Sequence, residues 1–225
     1  MLLALPSTGP DNLSVASRLE PTNTMLPRVA RASIACLLLV AGCGESALEF
    51  PVALPLVWVD PARCLSPCAH EAETNLVTVD ERAGVAGAGG FRLDAAVQPA
   101  FAALFSVAAG AGHRLTILSA HRTYAEQAGL WDEFSVTEPG RSARPGHSEH
   151  EAGLAVDVGF DADDAAEWTA AHAWRFGLTQ SYPQYHQKVT GFRFERWHYR
   201  FVGSAIAGEL HTRGLTLEEL LHERP

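Results

Sequence analysis

The sequence predicts an α+β fold in which a mainly antiparallel sheet lies beside helices that are segregated from it. Apolar residues at helical spacing occur early and late in the chain, whereas the strand candidates cluster between them. No internal repeat and no second domain can be recognised. The chain has 225 residues, enough for one domain of ordinary size with additional segments. We therefore expect a single domain over residues 56–225.

Short apolar runs bounded by polar or turn-forming residues mark the strands. Leu115–Ser119 is a strong strand candidate in the middle of the chain. Extended segments are predicted over residues 56–59, 76–79, 115–119, 153–160 and 177–183, with two more pieces within 191–201.

Helices are predicted from apolar spacing and from capping motifs. Apolar spacing predicts a helix over residues 93–109. The segment from Thr123 to Glu126 matches a capping box, which predicts a helix over 123–134. The buried stripe of that helix is expected to comprise Leu130, Trp131 and Phe134. Further helices are predicted over 163–176, over 204–211 and after the capping sequence at 216–219.

Composition and charge exclude one class of partner. The hydrophobic fraction of 47% and the charged fraction of 19% are those of a globular protein with a real core. The formal net charge is -9, and no basic stretch is present that could neutralise phosphates. We therefore expect no nucleic-acid partner.

The N-terminal region has the features of an export signal. Met25 is followed by two arginines, Arg28 and Arg31, and then by an apolar run over residues 34–40 that is too short to span a bilayer. We expect translation to start at Met25 and residues 1–42 to be a leader and signal peptide. Residues 43–55 would form a tether.

The signal ends in a sequence that indicates lipidation. Val40-Ala41-Gly42-Cys43 resembles a bacterial lipobox, in which the cysteine is lipidated and becomes the mature N-terminus. We therefore expect an exported protein, periplasmic or on the cell surface, that contacts the membrane only through a lipid anchor at Cys43. An unlipidated export signal that is cleaved nearby is the alternative.

Cys64 and Cys68 remain in the mature chain. In an oxidising compartment such a pair can form a disulfide that closes a small loop, which is the interpretation we favour. Metal binding is the alternative, but no second Cys/His pair lies at zinc-finger spacing.

Two polar motifs carry the candidate chemistry. His150 and Asp157 lie in the first, and Glu195 and His198 in the second. Catalytic zinc sites commonly use three N/O ligands, leave one position for water and keep a carboxylate nearby as a base. Two imidazoles, one carboxylate and a spare carboxylate therefore predict a zinc hydrolase.

The pattern around Asp157 places it on the face of a strand that lacks large side chains. Leu154, Val156 and Val158 point to one face, and Asp157 points to the other between two small residues. Taken singly, each candidate ligand would more often be an ordinary polar residue. Together they predict a cleft with room for an ion.

These motifs resemble the signature of the M15 zinc peptidases, specifically the VanY-type D-alanyl-D-alanine carboxypeptidases. The resemblance rests on Ser148-x-His150-x-x-Gly153-x-Ala155-x-Asp157 and on Glu195-x-Trp197-His198-x-Arg200. Further blocks at 119–127, 190–203 and 216–219 also resemble the family, so the resemblance covers about residues 56–222. It implies a hedgehog/DD-peptidase-like fold around a zinc cleft.

The resemblance also implies a role for each candidate residue. His150, Asp157 and His198 would bind one Zn²⁺, with Glu195 as the general base and Arg122 stabilising the oxyanion. A structural ion pair is the alternative for Arg122. The implied substrate contacts are Gln127, Ser148 and Trp197.

The implied substrate is a peptidoglycan stem peptide that ends in D-alanine. We expect the protein to act as a monomer. His121, Ala120, His147, Ser181 and Arg196 depart from the family pattern. Because several of these positions lie near the expected cleft, specificity stays open. An L,D-carboxypeptidase or an endopeptidase of the same fold is one alternative, and a catalytically silent peptidoglycan-binding lipoprotein is the other.

Overall fold

The computed structural model describes residues 49–50, 57–65, 75–79 and 89–224. The chain divides into two units between Gly44 and Glu45, and all described residues belong to the second. The predicted leader, the lipidation site at Cys43 and the predicted disulfide partner Cys68 lie outside the described residues. Cys64 is disulfide-bonded.

The strands form two antiparallel sheets, so the predicted antiparallel pairing is confirmed, whereas the second sheet was not predicted. A small sheet pairs β1 with β2, and the central sheet has the order β3-β4-β6-β5. The strands are β1 (Leu76–Thr78), β2 (Arg92–Asp94), β3 (Leu115–Ser119), β4 (Ala155–Phe160), β5 (Leu178–Gln180) and β6 (His198–Phe201).

Six α-helices surround these sheets within the described ranges. None of them combines the length and the apolar character that a bilayer-spanning helix needs. They are α1 (Gln98–Gly110), α2 (Tyr124–Phe134), α3 (Asp163–His172), α4 (Gln187–Thr190), α5 (Ser204–Arg213) and α6 (Leu217–Glu223), with a 3-10 helix over Ala173–Phe176 after α3.

Both predicted capping boxes are confirmed. Thr123 accepts a hydrogen bond from the Glu126 N–H, and the Glu126 side chain accepts one from the Thr123 N–H. Thr216 and Glu219 make the same reciprocal pair at the start of α6. Each box satisfies backbone donors that have no partner inside the helix.

Several predicted boundaries are wrong. Residues 57–59 have no regular secondary structure, although a strand was expected over 56–59. Helix α1 starts at Gln98 and not at 93, because Pro99 lies in its first turn, where a missing N–H costs nothing, and residues 92–94 form β2. Helix α4 was not predicted.

The expected buried stripe of α2 is also wrong. Leu130, Trp131 and Phe134 are half-buried, and the buried residue of this helix is Gln127. The reason lies in what α2 faces, since Leu130 and Phe134 line an open cleft.

The main core lies between α1 and one face of the central sheet. Phe101 and Leu104 of α1 are buried in the same cluster as Val156 and Val158 of β4. Leu154 joins this cluster, which confirms the predicted alternation along the strand. The opposite face of β4 is therefore left for Asp157.

The register of the sheet positions the candidate site. Asp157 of β4 lies directly opposite His198 of β6, and Ser119 at the end of β3 lies opposite Asp157 on its other side. Directly opposite residues in an antiparallel pair present their side chains on the same face. Two residues far apart in sequence thus meet at the centre of the sheet.

Candidate metal centre and active-site cleft

His150, Asp157 and His198 form a cluster that could hold a metal ion. One ligand atom from each lies within 4.8 Å of the other two. The Asp157 Oδ1 atom is 3.2 Å from His150 Nε2 and 3.2 Å from His198 Nδ1. The structure therefore brings together the three ligands that the sequence predicts.

The spacing of these atoms fits zinc. Zinc bonds of 2.0–2.2 Å at tetrahedral angles place neighbouring ligand atoms about 3.3 Å apart. The two measured separations of 3.2 Å agree with that value. Two imidazoles and a carboxylate are also a ligand set that zinc commonly uses in catalytic sites.

His150 is held by a backbone group on its far side. Its Nδ1 atom lies 2.7 Å from the carbonyl oxygen of Ala120, so Nδ1 carries the proton and Nε2 presents its lone pair toward Asp157. Burial and the nearby Arg122 lower the pKa of His150 to about 4, although Asp157 opposes them. A neutral imidazole is the form that binds metals.

The loop that carries His150 is shaped by a buried carboxylate and a glycine. Glu151 accepts a hydrogen bond from the Ser148 N–H at 3.1 Å. Gly153 ends the loop with φ +70, and an added Cβ would meet a methyl group of Leu76 at 2.9 Å. Only glycine accommodates both the left-handed backbone and that close approach.

His198 is held by Glu149, a residue that sequence reasoning missed. The His198 Nε2 atom lies 2.8 Å from a Glu149 oxygen, which leaves Nδ1 toward Asp157. Burial alone would lower the pKa of His198, but hydrogen bonds to Asp157 and Glu149 raise it to about 10. A cation that binds at Nδ1 must therefore displace a proton.

Glu149 is itself fixed by two further buried groups. Its carboxylate accepts hydrogen bonds from Arg200 Nη1 at 2.7 Å and from Ser181 Oγ at 2.6 Å. Burial raises the pKa of Glu149, but Arg200 and His198 outweigh burial and lower it to about 2. Carboxylates that orient a ligating histidine are common around metal centres, and Glu149 takes this position behind His198.

Glu195 lies beside the cluster without belonging to it. Its Oε2 atom is 3.7 Å from His198 Nδ1, and its side chain lines the cleft. Burial raises the pKa of Glu195 to about 7, with Asp157 adding to the effect and His198 opposing it. A carboxyl group whose pKa is near neutral can both accept and return a proton.

Arg122 reaches the cluster from the turn between β3 and α2. Its Nη2 atom is 3.8 Å from Asp157 Oδ2, and its Nη1 donates to Gln127 Oε1 at 2.7 Å. The Gln127 amide in turn donates to Ser142 Oγ and to the Ala143 carbonyl oxygen. Gln127, predicted as a substrate contact, is fully buried and lies behind Arg122.

A cleft of about 340 Å³ opens above these groups. Leu130, Phe134 and Trp197 form its apolar walls, and the Trp197 residue is 39% exposed. Ser148, another predicted substrate contact, is buried, and its Oγ accepts a hydrogen bond from the His150 N–H at 3.3 Å. Of the three predicted substrate contacts, Trp197 is the one that faces the cleft.

The family model for VanY, described as D-alanyl-D-alanine carboxypeptidase, matches residues 90–204, which is half of the chain and includes every residue of the cluster. The chain belongs to the VanY family.

Relatives and solved structures of this family agree with that membership. A D-alanyl-D-alanine carboxypeptidase of Enterococcus faecalis is 32% identical over 152 residues, which is 59% of this chain and 57% of the relative. The structure of VanYB in complex with D-alanine-D-alanine is 28% identical, with a TM-score of 0.65 over 76% of this chain and 98% of that one.

A second solved VanY structure bears on the metal. A mutant of a vancomycin-resistance D,D-pentapeptidase, in complex with Zn(II), is 28% identical, with a TM-score of 0.64 over 74% of this chain and 98% of that one. The chain spans about half the length of the curated relatives it matches first.

Proposed function

We propose that this protein is a zinc-dependent D,D-carboxypeptidase that removes the C-terminal D-alanine from peptidoglycan stem peptides. The observation that carries the proposal is the position of Glu195, whose carboxylate lies 3.7 Å from a ligand atom of the His150–Asp157–His198 cluster and lines the cleft. The zinc and the D-alanine-D-alanine bound by the two solved VanY structures support the choice of metal and substrate.

His150, Asp157 and His198 would hold one zinc ion. When bound, zinc supplies Lewis-acid chemistry, which polarises the scissile carbonyl and makes water a stronger acid. Glu195 accepts the proton of the attacking water and later delivers it to the amine of the departing D-alanine. The pKa of about 7 suits Glu195 to both steps, because the same carboxyl must give up the proton it has taken.

Arg122 supplies positive charge where the carbonyl oxygen becomes negative. Its guanidinium lines the cleft beside Asp157 and is held by Gln127. A donor that is already positioned stabilises the transition state without reorganisation. We assign Gln127 and Ser148 supporting roles behind Arg122 and His150, and Trp197 a direct contact with the substrate.

The site of action follows from the predicted signal. A lipid anchor at Cys43 would tether a monomer to the membrane on the side where stem peptides occur. Bacterial lipoproteins carry several acyl chains, so this attachment would be stable.

A panel of tripeptide, tetrapeptide and pentapeptide stems tests the proposal, with products identified by mass and Glu195→Gln as the inactive control. We expect one D-alanine to be released from the pentapeptide alone. Trimming of the tetrapeptide would indicate an L,D-carboxypeptidase, and an internal cut would indicate an endopeptidase. The absence of any product with zinc present would favour a silent peptidoglycan-binding protein.

A further inference from the structure

A second and larger cavity lies next to the cleft. Its volume is about 630 Å³, within the range of sites that bind small ligands. Its walls come from β2, from the turn that carries Arg122, and from one face of α2. The residues that line it are Gly89, Gly90, Phe91, Arg92, Ser119, Ala120, His121, Arg122, Glu126, Gly129 and Leu130.

The cavity adjoins the catalytic cleft. Ser119, Arg122 and Leu130 line both spaces, so a peptide bound across these residues would occupy the two together. A hydrogen bond joins β2 to the turn that carries Arg122: the His121 N–H donates to the Arg92 carbonyl oxygen at 3.0 Å. Arg92 therefore has a fixed position relative to the catalytic turn.

The charge of the cavity favours an anionic group. The Arg92 side chain is exposed and lines the cavity, and its charge interacts with the carboxylate of Glu126. Among the described residues that line the cavity, Glu126 carries a carboxylate, and this carboxylate caps the start of α2. Its Oε2 atom accepts the Thr123 N–H at 2.7 Å and the Thr123 hydroxyl at 2.9 Å.

We propose that this cavity binds the part of the peptide on the amino side of the scissile bond, and that Arg92 pairs with a carboxylate in that part. The inference rests on the proposed carboxypeptidase activity. A carboxypeptidase leaves a single residue beyond the cleaved bond, which needs little space. The larger cavity is therefore available for the rest of the peptide.

Filling the cavity is the first test. Gly129 lies on α2 in the cavity wall, and no atom lies within 4 Å of an added Cβ. Gly129→Leu fits the helix and projects into the cavity. Gly208→Leu is the matched control, because Gly208 is a helical glycine in α5 with the same open surroundings and does not line the cavity.

The readout is the ratio of kcat/KM for a pentapeptide to kcat/KM for an N-acylated D-Ala-D-Ala dipeptide, which has a single residue on the amino side of the scissile bond and so offers the cavity fewer contacts. We expect Gly129→Leu to lower this ratio about tenfold, because filling the cavity removes the contacts that the pentapeptide makes there. Gly208→Leu should keep the wild-type ratio. A Gly129→Leu ratio within twofold of wild type overturns the inference.

The second test addresses Arg92. Pairs of pentapeptides ending in D-Ala-D-Ala carry an acidic residue at position one, two or three, either with its carboxylate free or as the amide. At one position we expect Arg92→Ala to lower kcat/KM about tenfold more for the acid than for the amide, since a charge-assisted hydrogen bond is lost. Arg92→Lys should restore part of the difference.

The outcomes separate this inference from the proposed function. If the wild-type protein hydrolyses neither the dipeptide nor any pentapeptide, the carboxypeptidase proposal fails. If it hydrolyses them but Arg92→Ala affects acid and amide equally at all three positions, the assignment of Arg92 is overturned while the activity stands.

Discussion

The two walls of the site differ in how firmly they are held. On the metal side, His150, His198 and Glu149 are 1%, 4% and 1% exposed, and each is bonded to a further buried or backbone group. On the opposite side, Phe134 and Trp197 are partly open to solvent. Fixed ligands suit a constant chemistry, whereas an open wall can change with the substrate.

The largest effect should come from the residue between the two walls. Glu195→Gln removes the proposed base but keeps the shape of the side chain, so kcat should fall on the order of 10²–10⁴-fold. Bound zinc should be retained, because Glu195 is not a proposed ligand. Steady-state kinetics and metal analysis on one preparation test both points, and undiminished turnover would remove Glu195 as the base.

Arg122 is the next test, on the open wall. Arg122→Ala should lower kcat about 10²–10³-fold, as expected for a lost oxyanion donor, with little change in zinc content. Gln127→Leu should also lower kcat, but by a smaller factor, because it removes the hydrogen bond that positions the Arg122 guanidinium. If Arg122 is instead only a structural ion-pair partner, its loss will lower thermal stability and leave kcat intact.

Substitution of Glu149 tests whether the hydrogen bond that holds His198 contributes to zinc affinity. Glu149→Gln weakens the hold on His198, so zinc affinity should fall about 10–100-fold in a competition titration with a chelator. Glu218→Gln is the matched control, since Glu218 is also a buried glutamate and lies outside the His150–Asp157–His198 cluster. Equal affinity in the two variants would show that Glu149 does not support the metal.

The pH dependence of kcat/KM gives a smaller effect. The base works when it is deprotonated, so activity is present above the pKa of Glu195 and is lost as the pH falls through it. The protein holds that pKa at about 7, and a bound cation lowers it, so the acid limb should lie at or below about 7. One pH unit below the midpoint the rate should drop about tenfold. A rate that rises as the pH falls below 7 would contradict this role.

Local sequence patterns were enough to predict much of the fold and the cluster. The capping boxes at Thr123 and Thr216 act within one helical turn, so they can be recognised without the tertiary structure. The alternation around Asp157 identified which face of β4 is buried. The three candidate ligands followed from residue type and from the family resemblance.

The features that were missed depend on contacts between distant segments. Glu149 binds Arg200 and Ser181 from two other strand regions, and no local pattern indicates that pairing. The burial of Gln127 depends on the loop that carries Ala143, and the partial exposure of Leu130 depends on the cleft. These properties arise only when the central sheet has assembled.

We propose that His150, Asp157 and His198 hold a single zinc ion. Zinc content per chain, measured by mass spectrometry on the purified protein and on His198→Ala, tests it most directly. His211→Ala is the control, because His211 is an exposed histidine of α5 that stacks on Trp174. We predict one zinc per chain in the wild type and the control and almost none in His198→Ala. Equal zinc in all three proteins would contradict the assignment.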